Sequence, residues 1–166
     1  MKLNLAGKIA PHDWRSKVVP NVHKLDEHSW NEVVTLPIHS GHLYTVPFFV
    51  ACDHGCGHTN SGHGAVSLCN GALLATRKTV YEKARRGIRL ADLVIVCVGE
   101  DFATAHGTHF EAGYASGLAK NIVLLVKHGV TLDEHWFVAS GAALTVYCDE
   151  FEDGAMSILK MQKSVK

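Results

Sequence analysis

A chain of 166 residues, 47% hydrophobic and 19% charged, has the make-up of a single globular domain, able to bury about two-thirds of its unfolded surface without staples. Lys plus Arg and Asp plus Glu both number 16, so no net field would hold a nucleic-acid backbone or an anionic membrane, which argues against a polynucleotide partner. No window approaches the ~20 apolar residues of a membrane span, and the apolar start at 1–6 is too short for a signal peptide, which predicts a cytoplasmic protein. The odd set Cys52, Cys56, Cys69, Cys97 and Cys148 predicts reduced thiols and not a disulfide framework.

In chain order, residues 3–6 read as a short first strand. Gly7 closes it, where the chain turns sharply or a ligand approaches the backbone. Asp13 is placed to cap a short helix carrying Trp14, Val18 and Val19 and ending before Pro20. Lys8 and Arg15 then fall just beyond the strand's carboxyl end, within reach of a phosphate or carboxylate. The competing reading makes both solvated surface charges. Residues 21–44 look like a loop-rich excursion in which Val33-Val34-Thr35-Leu36 is the one strand-like fragment. A strand follows at 46–52, with Pro47 at its start or on an edge because it cannot donate to a ladder.

That strand runs into Cys52-Asp53-His54-Gly55-Cys56-Gly57-His58, the least ordinary composition in the chain. Cys52, Cys56, His54, His58 and His63 are all residue types that zinc takes. The Cys-x₃-Cys spacing suits a ligand pair, yet no second distant pair completes a tetrahedral set. The sequence therefore predicts no resident metal, with Cys52, Cys56 and His58 as the alternative ligand set. A glycine-rich loop that lets Asp53 or His54 hydrogen-bond a substrate competes with a plain Asx-turn loop around a packed Cys52.

Residues 77–90 have helical periodicity, with Val80, Ala84 and Ile88 on one face and a solvated basic cluster elsewhere. Residues 93–98 and 122–126 are uninterrupted apolar runs of strand length, the pattern of central parallel strands. Between them, residues 107–119 form a crossover helix with Phe110, Ala115 and Leu118 near one face. A short helix at 132–139, a strand at 143–147 and a last helix at 149–163, apolar at Phe151, Met156, Ile158 and Leu159, complete the chain. The alternation predicts one domain over 1–166: a doubly wound, mostly parallel α/β sheet of the flavodoxin or Rossmann kind.

Glu111 sits in this scheme in the first turn of the crossover helix, at the sheet edge where open α/β folds bind ligands. Two readings stand side by side. Thr108-x-x-Glu111 is a capping box, in which Thr108 caps the helix and Glu111 reaches back to its amide. Alternatively, Gly107 and Gly113 leave little bulk around a carboxylate that a helix N-terminus keeps ionised, as nucleophilic attack on a sugar carbon requires.

Gly107-Thr108-x-x-Glu111-x-Gly113-x-Ala115, followed by Gly117-Leu118-Ala119-Lys120 and an apolar strand, resembles the signature of the nucleoside 2-deoxyribosyltransferase-like superfamily. Leu5-Ala6-Gly7-Lys8-Ile9 with Asp13-Trp14-Arg15, Pro47-Phe48-Phe49 leading to Cys52-Asp53-His54-Gly55-Cys56, and Glu134-His135-Trp136-Phe137 resemble one branch of it. The resemblance spans most of the chain outside 21–44. It implies a deoxyribosyltransferase-like fold and cleavage or transfer of an N-glycosidic bond, with a small nucleoside or nucleotide as partner, no cofactor, and homo-oligomeric assembly.

Residue by residue, it implies that Glu111 is the nucleophile, and Asp101 or Asp53 could substitute as the acid. Gly7, Lys8, Asp13, Arg15, His54, Gly107 and Thr108 are implied substrate contacts. The chain departs from the family pattern at three positions: Asn4 stands where a tyrosine usually orients the glutamate, and Ala105 and Ala84 where aspartates handle the base. Glu100 and His106 are further candidates for the missing acid. Cleavage of the nicotinamide-ribose bond of NAD, and a nucleotide-binding or sensing module in which Glu111 only caps its helix or holds a ribose hydroxyl, are the alternative functions.

Overall fold

The computed structural model describes residues 1–7, 14–19, 35–38, 41–45 and 74–161. Six strands form one sheet: β1 (Lys2–Ala6), β2 (Thr35–Pro37), β3 (Leu43–Thr45), β4 (Leu93–Val98), β5 (Asn121–Lys127) and β6 (Leu144–Cys148). Their order is β2-β3-β1-β4-β5-β6. Five run parallel, and β2 alone is antiparallel, at the edge beside β3. The helices are α1 (Arg15–Val18), α2 (Leu74–Leu90), α3 (His106–Gly117), α4 (Trp136–Ser140) and α5 (Phe151–Met161).

β4 is buried at all six positions and β5 at five of seven, as their unbroken apolar runs require. One layer joins Leu3, Leu5, Ile95, Cys97 and Leu125 to Val18 of α1 and Ile158 and Leu159 of α5. The other joins Ala6, Val94, Val96, Leu124 and Val126 to Ile88 of α2 and Ala112 and Ala115 of α3. Each fully buried Val, Leu or Ile contributes about 1.5–3 kcal/mol relative to exposure. The doubly wound α/β architecture read from the sequence is thus the observed one.

Several local expectations change. Thr35 and Leu36 of the strand-like fragment fall in β2, and the excursion at 21–44 also holds most of β3; both strands have three residues, too few to show a periodicity. The strand expected at 46–52 lies outside the described residues. The helix expected at 132–139 is a 3-10 turn at Asp133–His135 followed by α4. On α3 the buried positions are Thr108, Ala112 and Ala115, while Phe110 and Leu118 are exposed. Small side chains at i, i+4 and i+7 bring this helix close to the sheet, and that leaves the bulky residues outside.

Topology locates the ligand edge. From β1 the chain proceeds to β3 on one side, and from β3 it crosses to β4 on the other. The connections leaving β1 and β4 therefore diverge, opening a crevice at the carboxyl ends of these two strands.

Candidate active site

A cleft of about 230 Å³ occupies this position. Cys97, Gly99, Asp101, Phe102 and Ala105 line it from the end of β4 and the turn after it, and Trp14 and Phe151 from the α1/α5 side. The turn is held by hydrogen bonds from the Phe102 amide to the Gly99 carbonyl (3.0 Å) and from the Thr104 amide to the Asp101 carbonyl (3.1 Å). Phe102 is buried, its ring tilted against His109 (4.2 Å between centroids) and meeting His135 edge-on (4.9 Å). Trp14 and Phe151 pack in a tilted pair at 6.0 Å. Apolar walls thus flank one exposed carboxylate, that of Asp101.

Arg15 is not a solvated charge. It is only 2% exposed, its Nε donates to the Leu5 carbonyl (2.9 Å) and its Nη2 to the Gly7 carbonyl (2.8 Å). The guanidinium also lies 5.2 Å from the centre of the Trp14 ring. Gly7 sits in close packing here. A Cβ at this position would stand 3.1 Å from Arg15 Nη2 and 3.3 Å from Cys97 Cβ.

Glu111 is the sixth residue of α3, hence in its second turn, and is half-buried. The capping-box expectation fails, because the helix begins at His106 with Ala105 at the N-cap and no side chain bonds the cap. Thr108 is an interior, buried residue, and Gly107 has open space around it. The expected helix-end stabilisation of an anion is overturned as well. Burial raises the Glu111 carboxyl to a pKa of about 7, against the opposing pull of the Arg15 charge. Glu111 does not itself line the cleft; Ala105, at the start of the same helix, does.

Sequence reasoning names Asp101 as a candidate acid and puts Arg15 beyond the end of the first strand; the structure sets Asp101 on the cleft wall and Arg15 on the Gly7 carbonyl. Phe102 is not singled out by the sequence, and Phe151 reads as an apolar position of the last helix and not as a wall. Asn4 is 2% exposed; its Nδ2 makes a long contact of 3.5 Å to the Thr45 carbonyl, and its Oδ1 has no partner. Such an orphan is a cost that core strands rarely carry. Lys8, Asp13, Asp53, His54 and the Cys52, Cys56, His58 set lie outside the described residues. Among the described residues no cluster of three His, Cys, Asp or Glu could hold a metal, Cys97 and Cys148 are buried and form no disulfide, and no helix is long and apolar enough to cross a membrane.

The sequence profile of the family described as nucleoside 2-deoxyribosyltransferase matches residues 21–157. The chain belongs to the nucleoside 2-deoxyribosyltransferase family. The match includes residues 21–44, which the motif resemblance leaves out, and excludes β1 and Arg15. Among solved structures the chain is similar to a Clostridium botulinum CMP N-glycosidase, BcmB. Identity is 21%, with 51% of this chain and 74% of that chain covered and a TM-score of 0.43. No curated protein matches the chain. In this family member, then, the sheet is the doubly wound one that the motifs imply.

Proposed function

We propose that this nucleoside 2-deoxyribosyltransferase family member breaks or transfers the N-glycosidic bond of a nucleoside or nucleotide, with Glu111 as nucleophile. The observation that carries the reading is a desolvated carboxyl with a pKa of about 7 on the helix that follows the switch-point strand β4. Near neutral pH such a group is ionised in a sizeable fraction of molecules, and an anion stripped of water attacks more readily than a hydrated one.

In the proposed step the Glu111 carboxylate forms a bond to the anomeric carbon as the carbon–nitrogen bond breaks. The electron pair of that bond leaves with the base, which takes a proton from Asp101 at the cleft. Positive charge on the sugar in the transition state is balanced by the approaching carboxylate. Water or a second base then displaces the carboxylate from the sugar, giving hydrolysis or transfer. Trp14 and Phe102 offer flat apolar walls for a nucleobase.

The test is chromatographic detection of free base after incubation of wild type and Glu111→Gln with ribo- and deoxynucleosides, their monophosphates and NAD, with and without an acceptor base. The expected result is release by wild type and a loss of about a thousandfold or more in the variant. Dependence on acceptor would mark a transferase, and release of nicotinamide alone would move the substrate to NAD. Equal release by both proteins would remove Glu111 from the chemistry. Nucleotide binding by both without release would make the chain a binding module.

A further inference from the structure

Two kinds of constraint keep a position glycine, and Gly99 is under neither. At Gly7 and Gly154 an added Cβ would stand 3.1 Å and 2.9 Å from a neighbouring atom, and Gly129 has a φ of +87°, in the left-handed region that side chains rarely enter. Gly99, the first residue after β4, has its φ outside that region. It holds the first position of the turn closed by the Phe102 amide on its carbonyl (3.0 Å), a position that does not call for glycine. Among the described residues, the nearest atoms to a Cβ there are Asp101 Oδ1 at 3.5 Å and Phe151 Cζ and Cε2 at 3.6 and 3.8 Å, ordinary van der Waals contacts. Glycine also loses more chain entropy on folding than alanine would. Gly107, Gly113 and Gly117 have room as well, but they face open space on α3. Gly99 lines the cleft.

Both walls beside this point are held. The Thr104 amide and hydroxyl donate to the Asp101 carbonyl at 3.1 and 3.0 Å. Phe151 opens α5, where Trp14 packs on its ring and Lys127 Nζ lies 5.4 Å from the ring centre. Lys127 is itself tied to the Asp149 carbonyl and the Glu150 carboxylate. Non-bonded carbon contacts close at about 3.5–4.0 Å, so two fixed walls at these distances from one point leave the thickness of a single ligand layer. Their chemistry selects what enters. No cationic side chain is among the described residues that line the cleft, and a carboxylate repels phosphate, whereas the Trp14, Phe102 and Phe151 rings favour a flat aromatic body over a hydroxylated sugar.

We infer that Gly99 is a specificity-determining position: the point its missing Cβ would take, between Asp101 Oδ1 and the edge of the Phe151 ring, receives the ring edge of a nucleobase. The inference rests on the proposed function for the identity of the occupant as a base. It gives Gly99 a reason that neither backbone conformation nor packing supplies, and it assigns Phe151, from the far end of the chain, to the base pocket.

The experiment is calorimetric titration of free adenine and cytosine, which carry no glycosidic bond, into wild type, Gly99→Ala and Gly99→Val, with ribose 5-phosphate as a ligand that lacks a base. Urea unfolding and kcat/KM for base release accompany it. Gly99→Ala should weaken the bases that bind wild type by about tenfold or more, Gly99→Val should weaken them further, and neither should change ribose 5-phosphate. Gly99→Ala should unfold at a urea concentration no lower than wild type, which separates a filled pocket from a damaged fold and keeps the test open should Gly99→Val misfold.

Wild-type affinity for bases in Gly99→Ala overturns the inference, as does weakening of ribose 5-phosphate in place of base, or a wild type that binds no base at all. Base binding that Gly99→Ala weakens, in a protein that releases no base, upholds the inference and counts against the glycosidic reaction alone. Base release with the same kcat/KM in wild type and Gly99→Ala does the reverse.

Discussion

Helices α3 and α5 flank the same sheet on opposite faces, and each carries a glutamate near its start. The Glu111 carboxyl of α3 is raised to about 7 by burial. Burial also acts to raise Glu152 of α5, but a hydrogen bond and ion pair with Lys17 of α1 overcome it and hold that carboxyl below its usual range. The difference lies in the balance of two effects: at Glu111 the pull of the Arg15 charge falls short of the cost of burial, whereas an exposed lysine swings onto Glu152 from solvent. A helix that serves stability neutralises its buried charge. On α3 burial leaves the charged form of Glu111 costly.

Breaking the asymmetry at Glu111 should have the largest effect. Its folded pKa of about 7 exceeds the ordinary 4.5, so between these values the folded protein keeps a proton that the unfolded chain has lost. Stability therefore falls as pH rises from 4.5 through 7, and the full penalty is present above 7. Glu111→Gln should remove this slope and gain about 2–3 kcal/mol at pH 8 over wild type, with little difference at pH 4, as measured by urea unfolding across pH. A variant less stable than wild type at pH 8 would show that the Glu111 anion is well paired.

The second comparison concerns glycines. Gly154 lets α5 close on the sheet, since a Cβ there would meet Leu125 Cδ2 at 2.9 Å and Cys148 Sγ at 3.1 Å. Gly154→Ala should cost about 1–3 kcal/mol in urea unfolding. Gly113, inside α3, has nothing within 4 Å of an added Cβ, so Gly113→Ala should gain about 0.5–1 kcal/mol through helix propensity. A loss at Gly113 would show that the added methyl meets a neighbour in the folded chain.

The smallest effect is expected at Glu152. Its depressed pKa contributes stability that is present above pH 4.5 and is lost as pH falls through the folded value. Glu152→Gln should lower Tm slightly at pH 7 and leave it unchanged at pH 2, by calorimetry. An equal loss at both pH values would assign the contribution to packing.

What the sequence discloses follows from how many residues carry each signal. β4 and β5 announce themselves by six and five consecutive apolar residues, and with the alternation of helices they settle the layers and the edge where ligands bind. β2 and β3 have three residues each, too few for a period to appear. The start of α3 misleads because Thr108-x-x-Glu111 satisfies the capping rule in one dimension, whereas packing of Thr108, Ala112 and Ala115 on the sheet sets where the helix begins. Asp101 was legible as a group just past a central strand. The burial of Arg15 was not, because its partners are main-chain carbonyls and carry no residue-type signature.

The placing of β1 bears on how the protein assembles itself. β4, α3 and β5 are near neighbours in sequence, and Lys120 fastens their seam to α2 by bonding the Arg89 and Ala91 carbonyls over separations of 31 and 29 residues. β1 lies between β3 and β4, and its first residue bonds Asp92 across 90 residues. Loop closure costs more entropy over the longer span, which favours early formation of the local unit and late entry of the amino-terminal strand. The carbonyl bed of Arg15 comes with that strand. A nascent chain would thus hold β4, α3 and β5 together before the crevice at the carboxyl ends of β1 and β4 has both of its sides.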